Sequence, residues 1–177
     1  MKLYVVRHGQ TDWNLEHRVQ GITDIPLNEK GREDAKELVP LVKKLNIDVV
    51  IASPLDRARE TAKIITDGAY PINVDDRIKE RDWGLNEGAS LDDVDKWDCW
   101  DVILNTRVQN IEAIQDFMDR VSSFIEDIKV KYKDKNVLIV THSAVSRVIH
   151  YLLEEIPEDG DLSKIDIPNL RIIEYNL

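Results

Sequence analysis

Short apolar runs alternate with longer segments of helical periodicity along the chain. The runs predict buried strands over residues 3–7, 49–52 and 137–141, and a last run over 170–175 predicts a strand at the edge of the sheet. Strands that alternate with helices are typical of an α/β fold with a mainly parallel sheet, because each parallel pair needs a long crossover connection.

Four helices are predicted between and after these strands. One covers 28–45, with Asn28 as its N-cap and a kink at Pro40, and the next opens at Pro54 and continues to residue 66. A third covers 111–132 and a fourth covers 143–154. The third is the most regular, since one face carries Ile114, Phe117, Met118, Val121, Phe124, Ile125 and Ile128.

Residues 75–90 have the least regular pattern, and a short helix is predicted after them with Leu91, Val94, Trp97 and Trp100 on one face. We interpret the segment 83–110 as a wall or lid over a site. The chain length predicts one domain over 1–177, which buries about 70% of the surface that the unfolded chain exposes.

Composition and charge exclude several classes of function. Hydrophobic residues make up 42% and charged residues 33% of the chain, as in soluble globular proteins, and no apolar run is long enough to cross a membrane. The formal charge of -10 argues against nucleic acid as a partner, because its phosphates attract basic surfaces. A small phosphorylated metabolite stays possible as a partner, since a few converging donors can hold its phosphate.

The N-terminal run and the single cysteine both indicate the cytoplasm. The first run is shorter than the apolar core of a signal peptide, so it is interpreted as a strand. Cys99 has no second cysteine with which to form an internal disulfide, which agrees with a reducing compartment. We expect Cys99 to be a buried structural thiol.

Two histidines stand at the ends of two predicted strands. Arg7 and His8 end the first strand, and His142 follows the run over 137–141. If these strands are neighbours, both imidazoles lie at the carboxyl ends of the strands, where open α/β sheets bind ligands. An arginine keeps its charge and matches phosphate oxygens, so its place beside a nucleophilic side chain points to phosphoryl chemistry.

The chain offers one candidate for each group that phosphoryl transfer through a covalent intermediate needs. His8 can attack when it is neutral, a form that neighbouring arginines favour by repelling imidazolium. Arg7 and Arg57 can hold the phosphoryl oxygens, and a protonated His142 would add a third cation. Glu80, in a loop with two glycines, can protonate the leaving group.

These residues belong to a longer series of motifs. The series is Arg7-His8-Gly9, Thr11, Asn14, Gln20-Gly21, Asp24, Pro26-Leu27-Asn28, Gly31-Arg32, Ser53-Pro54-Leu55, Arg57-Ala58, Thr61-Ala62, Glu80, Gly84, Glu87-Gly88 and Thr141-His142. Each motif is weak alone, but their order and spacing over nearly the whole chain resemble the histidine phosphatase superfamily, also called phosphoglycerate mutase-like. The resemblance implies a three-layer α/β/α sandwich with a mainly parallel sheet and an antiparallel edge strand.

The resemblance also implies roles for the candidate residues. His8 is implied to become phosphohistidine, and Arg7, Arg57 and His142 are implied to bind the phosphoryl group. Glu80 would donate the proton to the leaving group and then act as the base that activates water. The resemblance implies no metal and no cofactor.

Other positions extend the resemblance or depart from it. Asn14 and Gln20 are implied to contact phosphate or substrate. Ser143 stands where the family often has glycine, so its backbone N–H can still bind phosphate while its side chain crowds the site. The segment 110–112 replaces a frequent Gly-Gly-Glu, which weakens any substrate contact inferred there. The short segment 88–112 and the absence of a tail after the last strand favour hydrolysis, since mutases of the family have more covering structure.

Several candidate residues have a structural interpretation instead. These are His17 and His150 as surface or helix-face residues, Arg32 and Arg59 as ion-pair residues, and Trp97 and Trp100 as core residues. Trp13 and Trp83 are assigned evenly to core and site. Asp82 and Glu87 share the loop of Glu80 and compete with it for the role of the acid. No spacing of the four histidines matches a metal-binding motif.

The acidic residues around the short predicted helix are interpreted as a solvated face. They are Asp92, Asp93, Asp95, Asp98 and Asp101. The alternative hypothesis is that they edge the site and disfavour bisphosphates, which a comparison of monophosphate and bisphosphate turnover in an Asp92→Asn/Asp93→Asn variant would test.

The function predicted from the sequence is a metal-independent phosphomonoesterase with a phosphohistidine intermediate on His8. One alternative is a phosphoglycerate mutase, which would return the phosphoryl group to a second hydroxyl and depend on a bisphosphate primer. The other is a catalytically silent module that binds a phosphate ligand, although binding alone does not require both a nucleophile and an acid. The motifs leave the alcohol part of the ester open among sugar phosphates, phosphoserine, nucleotide-loop phosphates of cobamide synthesis and phosphoglycerates.

Overall fold

One five-stranded sheet organises the protein in the computed structural model, which describes residues 1–92, 99–108 and 110–177. Its strands are β1 (Lys2–Arg7), β2 (Val49–Ala52), β3 (Ile72–Val74), β4 (Asn136–Thr141) and β5 (Ile172–Asn176). They lie in the order β3-β2-β4-β1-β5. Strands β1 to β4 are parallel, and β5 pairs antiparallel with β1. The predicted mainly parallel sheet with an antiparallel edge strand is therefore confirmed.

Helices cover both faces of this sheet. They are α1 (Asp12–Leu15), α2 (Glu29–Glu37), α3 (Val39–Val42), α4 (Asp56–Ile65), α5 (Ile114–Lys131) and α6 (Ser143–Leu153), with 3₁₀ turns at Lys43–Leu45, Asp76–Ile78, Gly84–Asn86 and Leu162–Lys164. None of the described helices is both long and apolar enough to cross a bilayer.

The strands alternate their side chains between two separate cores. In β1, Leu3 and Val5 pack with α5 and α6, whereas Tyr4 and Val6 pack with α2 and α4. All seven apolar residues predicted for the stripe of α5 are buried in the first of these cores. Two cores on opposite faces of one sheet make the predicted three-layer sandwich.

The register between β1 and β4 positions the two histidines. Arg7 pairs with Thr141, and the His8 amide donates to the Thr141 carbonyl at 2.9 Å. The residue after each strand end is therefore a histidine, and the two histidines are side by side. The condition that the sequence sets for bringing the two histidines together, that these strands are neighbours, is thus met.

The predicted helix over 28–45 is wrong as one continuous element. Asn28 does cap it, since its side chain accepts from the Gly31 amide at 2.8 Å. The helix ends at Glu37, and Pro40 lies in the separate short helix α3. Proline lacks an N–H and its ring clashes with the carbonyl four residues earlier, so the chain breaks at this point where only a kink was predicted.

Two other helices begin later than the sequence predicts. Helix α4 begins at Asp56, because Leu55 is extended and donates its amide to the Ser53 hydroxyl at 3.3 Å. Helix α5 begins at Ile114, because the Glu112 amide donates to the Asp82 carbonyl at 2.9 Å and its carbonyl accepts from Arg81. Both starts are delayed by contacts that the preceding residues make outside the helix.

Sequence patterns missed one strand and misplaced another. The three residues of β3 were not predicted, since they form a short and partly exposed edge with no apolar run. Strand β5 begins at Ile172 because Leu170 has a left-handed φ of 61° and donates its amide to the Arg7 carbonyl at 2.9 Å. The predicted helix with Val94 and Trp97 falls largely on 93–98, outside the described residues.

Candidate active site

A cavity of about 480 Å³ lies at the carboxyl ends of β1 and β4. Six of the eight site residues predicted from the sequence line it, namely Arg7, His8, Asn14, Gln20, Glu80 and Ser143. The other two, Arg57 and His142, are completely buried behind its surface. All eight predicted residues therefore lie at the carboxyl ends of the strands, at one end of the molecule.

His8 has its tautomer set by the backbone. Its Nδ1 lies 2.7 Å from the carbonyl oxygen of Gly9, and because a carbonyl can only accept, Nδ1 carries the proton. The lone pair of a neutral His8 is then on Nε2. Burial, and after it the charges of Arg57 and Arg7, hold the pKa of His8 well below 6.5. The arginines therefore act as predicted, but burial has the larger effect.

His142 packs edge-on against His8, with ring centroids 5.1 Å apart. Its Nε2 lies 2.7 Å from the Ser53 hydroxyl, and its buried Nδ1 has no hydrogen-bond partner among the described residues. Burial and the nearby charges of Arg57, His8 and Arg7 hold the pKa of His142 well below 6.5. A lowered pKa favours the neutral imidazole, so the third cation that a protonated His142 would supply stays a conditional prediction.

Each of the two arginines has a buried Nε donor that is not used by the protein among the described residues. Arg57 donates from Nη1 to the Thr23 carbonyl at 2.9 Å and from Nη2 to the Gly21 carbonyl at 2.6 Å, while Arg7 donates from Nη1 to the Ile167 carbonyl at 2.7 Å. Both Nε atoms are buried without a partner among the described residues. Burial lowers the pKa of Arg57 to about 10, so it stays charged at neutral pH. Two fixed cations thus present free N–H groups beside His8.

Gln20 is oriented by two hydrogen bonds to its carbonyl oxygen. Oε1 accepts from the Thr11 hydroxyl at 2.9 Å and from Asn14 Nδ2 at 3.1 Å. The amide nitrogen Nε2 of Gln20 is therefore a donor, and it is buried without a partner among the described residues. Asn14 donates one N–H to Gln20 and accepts a hydrogen bond from the Thr11 amide at 3.2 Å, so its main role is to orient Gln20.

Glu80 is buried with both carboxyl oxygens engaged. Oε1 accepts from the Arg81 amide at 3.0 Å and Oε2 from the Ala144 amide at 3.2 Å. Burial raises the pKa of Glu80 above its usual value, despite these two bonds and the charges of Arg57 and Arg7. A raised pKa is what a carboxyl group needs to donate a proton near neutral pH.

The two rivals of Glu80 do not line the cavity. Asp82 accepts the Gly84 amide at 2.7 Å, and Glu87 accepts the amides of Ile22 and Thr23 at 2.9 Å and 2.7 Å. Gly84 has a φ of 53°, and a Cβ there would overlap the Asn110 carbonyl. The predicted close approach of the loop backbone is thus observed, and the rivals of Glu80 shape the loop.

Arg120 holds the backbone of the Glu80 loop. Its guanidinium donates to the carbonyls of Arg77, Lys79 and Glu80 at 2.6, 2.8 and 3.0 Å. Its other contacts are to the Glu112 carboxylate at 2.6 Å and 2.9 Å. Glu112, the last residue of the segment 110–112, therefore supports the loop through Arg120 and does not line the cavity.

Ser143 begins α6 directly after His142, and it lines the cavity. The N-terminus of this 11-residue helix points its free N–H groups and the positive end of its dipole toward the same space. The Ala144 amide already donates a hydrogen bond to Glu80. The backbone at Ser143 therefore lies where the resemblance implies a phosphate donor.

A stack of aromatic rings and guanidinium groups forms the far wall of the cavity. Arg81 lies 5.2 Å from the ring centroids of both Trp83 and Trp100, and Arg147 lies 5.1 Å from that of Trp100. Trp83 and Trp100 line the cavity, and both are also buried in the core. Trp83 and Trp100 therefore belong to both the core and the cavity wall. Trp13 does not line the cavity. Trp97 lies outside the described residues.

Cys99 and several polar residues take the structural roles expected of them. Cys99 is buried. Arg32 pairs with Glu60 at 2.6 Å, Arg59 pairs with Asp56, and His150 contacts the Tyr175 hydroxyl at 3.2 Å. The exception is His17, which is exposed but borders the cavity. In the part of the chain that the structure describes, no group of three or more His, Cys, Asp or Glu residues could hold a metal.

The acidic face is described only in part. Asp92 is exposed and does not line the cavity, and Asp101 accepts the amides of Ile103 and Leu104 at 2.8 Å and 2.9 Å. Asp93, Asp95 and Asp98 lie outside the described residues. The hypothesis that this face disfavours bisphosphates stays a prediction.

Sequence reasoning missed two residues of the cavity that bear on its chemistry. Arg147 lies one turn after Ser143 on α6, so the spacing of four residues was an available signal. Asn169 donates to the His8 carbonyl at 2.7 Å from 161 positions away. No local pattern signals Asn169, because only the return of the chain to β5 brings it to the site.

The family model of the histidine phosphatase superfamily (branch 1) matches residues 3–176. Since that match spans nearly the whole chain, the protein belongs to this superfamily. The resemblance inferred from the motifs is confirmed.

Three proteins illustrate what the chain is similar to. The uncharacterized phosphatase PhoE of Bacillus subtilis (strain 168) is 40% identical over 153 residues, which cover 86% of this chain and 75% of the relative. The probable phosphoglycerate mutase GpmB of Enterobacter sp. (strain 638) is 34% identical over 149 residues, covering 80% and 69%. Among solved structures, phosphoserine phosphatase from Entamoeba histolytica in complex with 3-phosphoglyceric acid has a TM-score of 0.85 and 27% identity, covering 98% and 89%. Named phosphatases occur in both comparisons, in agreement with the predicted enzyme class.

Proposed function

We propose that this chain is a phosphatase that hydrolyses a small phosphate monoester through a phosphohistidine on His8, without a metal. One observation carries the proposal. A neutral His8 with its lone pair on Nε2 stands among four buried donor atoms that have no acceptor among the described residues: Arg7 Nε, Gln20 Nε2, Arg57 Nε and His142 Nδ1. Buried polar groups are normally paired, so four such donors around one nucleophile indicate a bound oxyanion.

The phosphoryl group is proposed to lie between His8 and these donors. Arg7 and Arg57 supply fixed positive charge to oxygens that carry the charge of the transition state. His142 donates from Nδ1 when the Ser53 hydroxyl donates to its Nε2, which is the tautomer that the 2.7 Å contact allows. The N-terminus of α6 at Ser143 adds a further favourable dipole.

The reaction is proposed to occur in two steps. His8 Nε2 forms a bond to phosphorus as the bond to the ester oxygen breaks, and Glu80 gives its proton to the departing alkoxide. The resulting Glu80 carboxylate then takes a proton from water, which attacks phosphorus and releases phosphate and neutral His8. The raised pKa of Glu80 supports the first role, and its place on the cavity wall supports both.

The mutase is retained as a second candidate because one relative is named a probable phosphoglycerate mutase. It differs only in the acceptor of the second step, a sugar-acid hydroxyl in place of water. A mutase would depend on a bisphosphate primer and release no free phosphate. The predicted cytoplasmic location stays a prediction.

Phosphate release from a panel of monoesters in the presence of EDTA tests the proposal. We expect release by the parent and a loss of at least about 10⁴-fold in His8→Ala, since the nucleophile is absent. His150→Ala is the matched control, because His150 contacts Tyr175 and does not line the cavity. Dependence on added metal would contradict the proposal, and primer-dependent transfer without phosphate release would select the mutase.

A further inference from the structure

Beyond the phosphoryl site, the cavity wall combines apolar and cationic surface. The apolar part comes from Val19, Trp83, Leu91 and Pro168, and the charged part from Arg18 and Arg147 with Asp166 opposite. This part of the cavity faces the alcohol portion of the ester, because the phosphoryl donors occupy the end at β1 and β4. The charge and contacts of its arginines therefore bear on which alcohol is accepted.

Arg147 is held in place with most of its donors unused. It donates from Nε to the Ile165 carbonyl at 2.8 Å, and its guanidinium stacks on Trp100. No other hydrogen bond of Arg147 occurs among the described residues, and none of their carboxylates lies within 4.0 Å of its nitrogens. A half-buried cation that borders a cavity and keeps both Nη groups free is a ready partner for an anion.

Arg18, the other arginine of the wall, differs in both respects. It is exposed and pairs with Glu16 at 2.7 Å. Asp166 is also exposed, so it partly offsets the charge of Arg147 from the rim without pairing with it. Of these three groups, Arg147 is the charge that is both shielded from water and unpaired among the described residues.

The position of Arg147 on α6 sets where the anion would be. Ser143 and Arg147 are four residues apart, which separates them by about 6 Å along the helix axis and places them on one face. Arg147 and Glu80 both line this cavity, and the Glu80 carboxyl opposes the lowering of the Arg147 pKa by burial. A second anionic group on the substrate would therefore lie close to the phosphate, a few bonds away.

We propose that Arg147 is a specificity-determining residue that binds a carboxylate on the alcohol portion of the substrate. Its two free Nη groups match the two oxygens of a carboxylate, and Trp100 keeps the guanidinium plane fixed. The substrate class is then a phosphate monoester of a small hydroxy acid. This inference rests on the proposed phosphatase function and names the substrate class of the same cavity.

A matched pair of esters tests the inference. 3-Phosphoglycerate and glycerol 3-phosphate share a three-carbon skeleton and the same ester bond, and they differ only in a carboxylate or a hydroxymethyl group. We expect the parent to release phosphate from the first with a kcat/KM at least about 10-fold higher, as charge-assisted hydrogen bonds provide. p-Nitrophenyl phosphate, measured in parallel, reports whether the enzyme is active at all.

Variants of the two arginines locate the preference. In Arg147→Met, whose side chain still packs on Trp100, we expect the ratio of the two kcat/KM values to fall roughly 10- to 100-fold, mostly because the KM for the phosphoglycerate rises. Arg147→Lys keeps the charge but lacks the planar fork of the guanidinium. Its ratio of the two kcat/KM values should therefore lie between those of the parent and of Arg147→Met. Arg18→Met should leave the ratio unchanged, since Arg18 is paired and exposed.

Two results would overturn the inference. One is a parent that turns over both esters equally, and the other is an Arg147→Met variant that keeps the parent ratio while remaining active on p-nitrophenyl phosphate. If Arg147→Met does not fold, the inhibition of parental p-nitrophenyl phosphate turnover by the two esters decides, and equal inhibition constants would oppose the inference. A parent inactive on all three esters would contradict the proposed function itself.

Discussion

The two ends of the cavity are built differently. At the phosphoryl end, Arg7, His8 and His142 end or follow central strands and are held by backbone hydrogen bonds and neighbouring rings. At the alcohol end, Trp83 and Trp100 come from irregular segments and are held by stacking with Arg81 and Arg147. The first end is rigid because the sheet and both cores support it.

This difference separates chemistry from selection. Phosphoryl transfer needs donors fixed within a fraction of an ångström, which central strands provide. Loops vary more readily without loss of the core, so they suit the recognition of different alcohols. Changes to the residues that hold the phosphoryl group should therefore affect all esters alike, and a change of the acid Glu80 should depend on the leaving group. Changes at the alcohol end should alter the preference among alcohols.

Among the variants that test this difference between the two ends, Glu80→Gln is expected to have the largest effect. Without the acid, an alkyl phosphate should lose about 10²- to 10⁴-fold in kcat/KM, and p-nitrophenyl phosphate should lose much less because its leaving group needs no proton. A burst of p-nitrophenol in rapid mixing should follow, since the same side chain activates water in the second step. Asp82→Asn is the control, because Asp82 caps the Gly84 amide outside the cavity. Equal losses for both esters would contradict the assignment.

Arg57→Lys tests the uniform character of the phosphoryl end. Arg57 already spends both Nη groups on Thr23 and Gly21, and a lysine cannot serve these carbonyls and the phosphoryl group together. We expect a loss of about 10²- to 10³-fold in kcat/KM that is the same for every ester. Arg59→Lys, two residues later on the exposed face of α4, should behave as the parent. A change in ester preference in Arg57→Lys would break the separation of the two ends.

Arg120→Gln should act through Glu80. Removing the guanidinium releases three carbonyls of the acid loop, so we expect about a 10-fold loss for alkyl esters and less for p-nitrophenyl phosphate. In the double variant with Glu80→Gln, Arg120→Gln should lower kcat/KM little further. Arg120→Lys should recover part of the activity. If Arg120 had a purely structural role, Arg120→Gln would lower kcat/KM equally for both esters, and its loss would add to that of Glu80→Gln.

The smallest effect concerns the shape of the pH profile. The pKa of His8 lies below 6.5 and that of Glu80 above its usual value, and the proposed chemistry needs His8 neutral and Glu80 protonated. For an alkyl ester, the rise of kcat/KM with the loss of the His8 proton should lie below pH 6.5, and the fall with the loss of the Glu80 proton should lie above the usual carboxyl range.

The decrease of kcat/KM at high pH can be assigned to Glu80 if the size of the decrease depends on the leaving group. It should be weaker for p-nitrophenyl phosphate and absent for the alkyl ester in Glu80→Gln. A fall that persists unchanged in that variant would assign it to another group.

Much of the fold could be predicted because the signals are local. The stripe of α5 repeats with the helical period, and Asn28 caps its helix with a side chain that reaches three residues ahead. The break at Pro40 and the late start of α5 were not predicted, since neighbouring sequence still favours helix there. The start of α5 depends on Glu112, whose contacts with Asp82 and Arg81 cross 30 and 31 positions.

The candidate site divides in the same way. His8, Arg57, Glu80 and His142 could be identified because each residue type suits one step of the chemistry and stands at a motif. Arg147 offers only its spacing of four residues from Ser143, and Asn169 carries no local signal. The protonation states of His8 and His142 depend on burial. Burial is a property of the assembled layers, so the sequence could say only what a protonated His142 would add.

The sequence by itself determined the α/β layers and the family, and it named the candidate residues of the phosphoryl end, because periodicity and ordered motifs are written in neighbouring residues. Only the tertiary structure decided that β1 and β4 are paired, that buried polar atoms of Arg7, Gln20, Arg57 and His142 lack partners among the described residues, and that Arg147 keeps its Nη groups unpaired there. These facts depend on contacts between residues that are far apart in the chain. The order of the strands creates such contacts, and it leaves no trace in any local pattern.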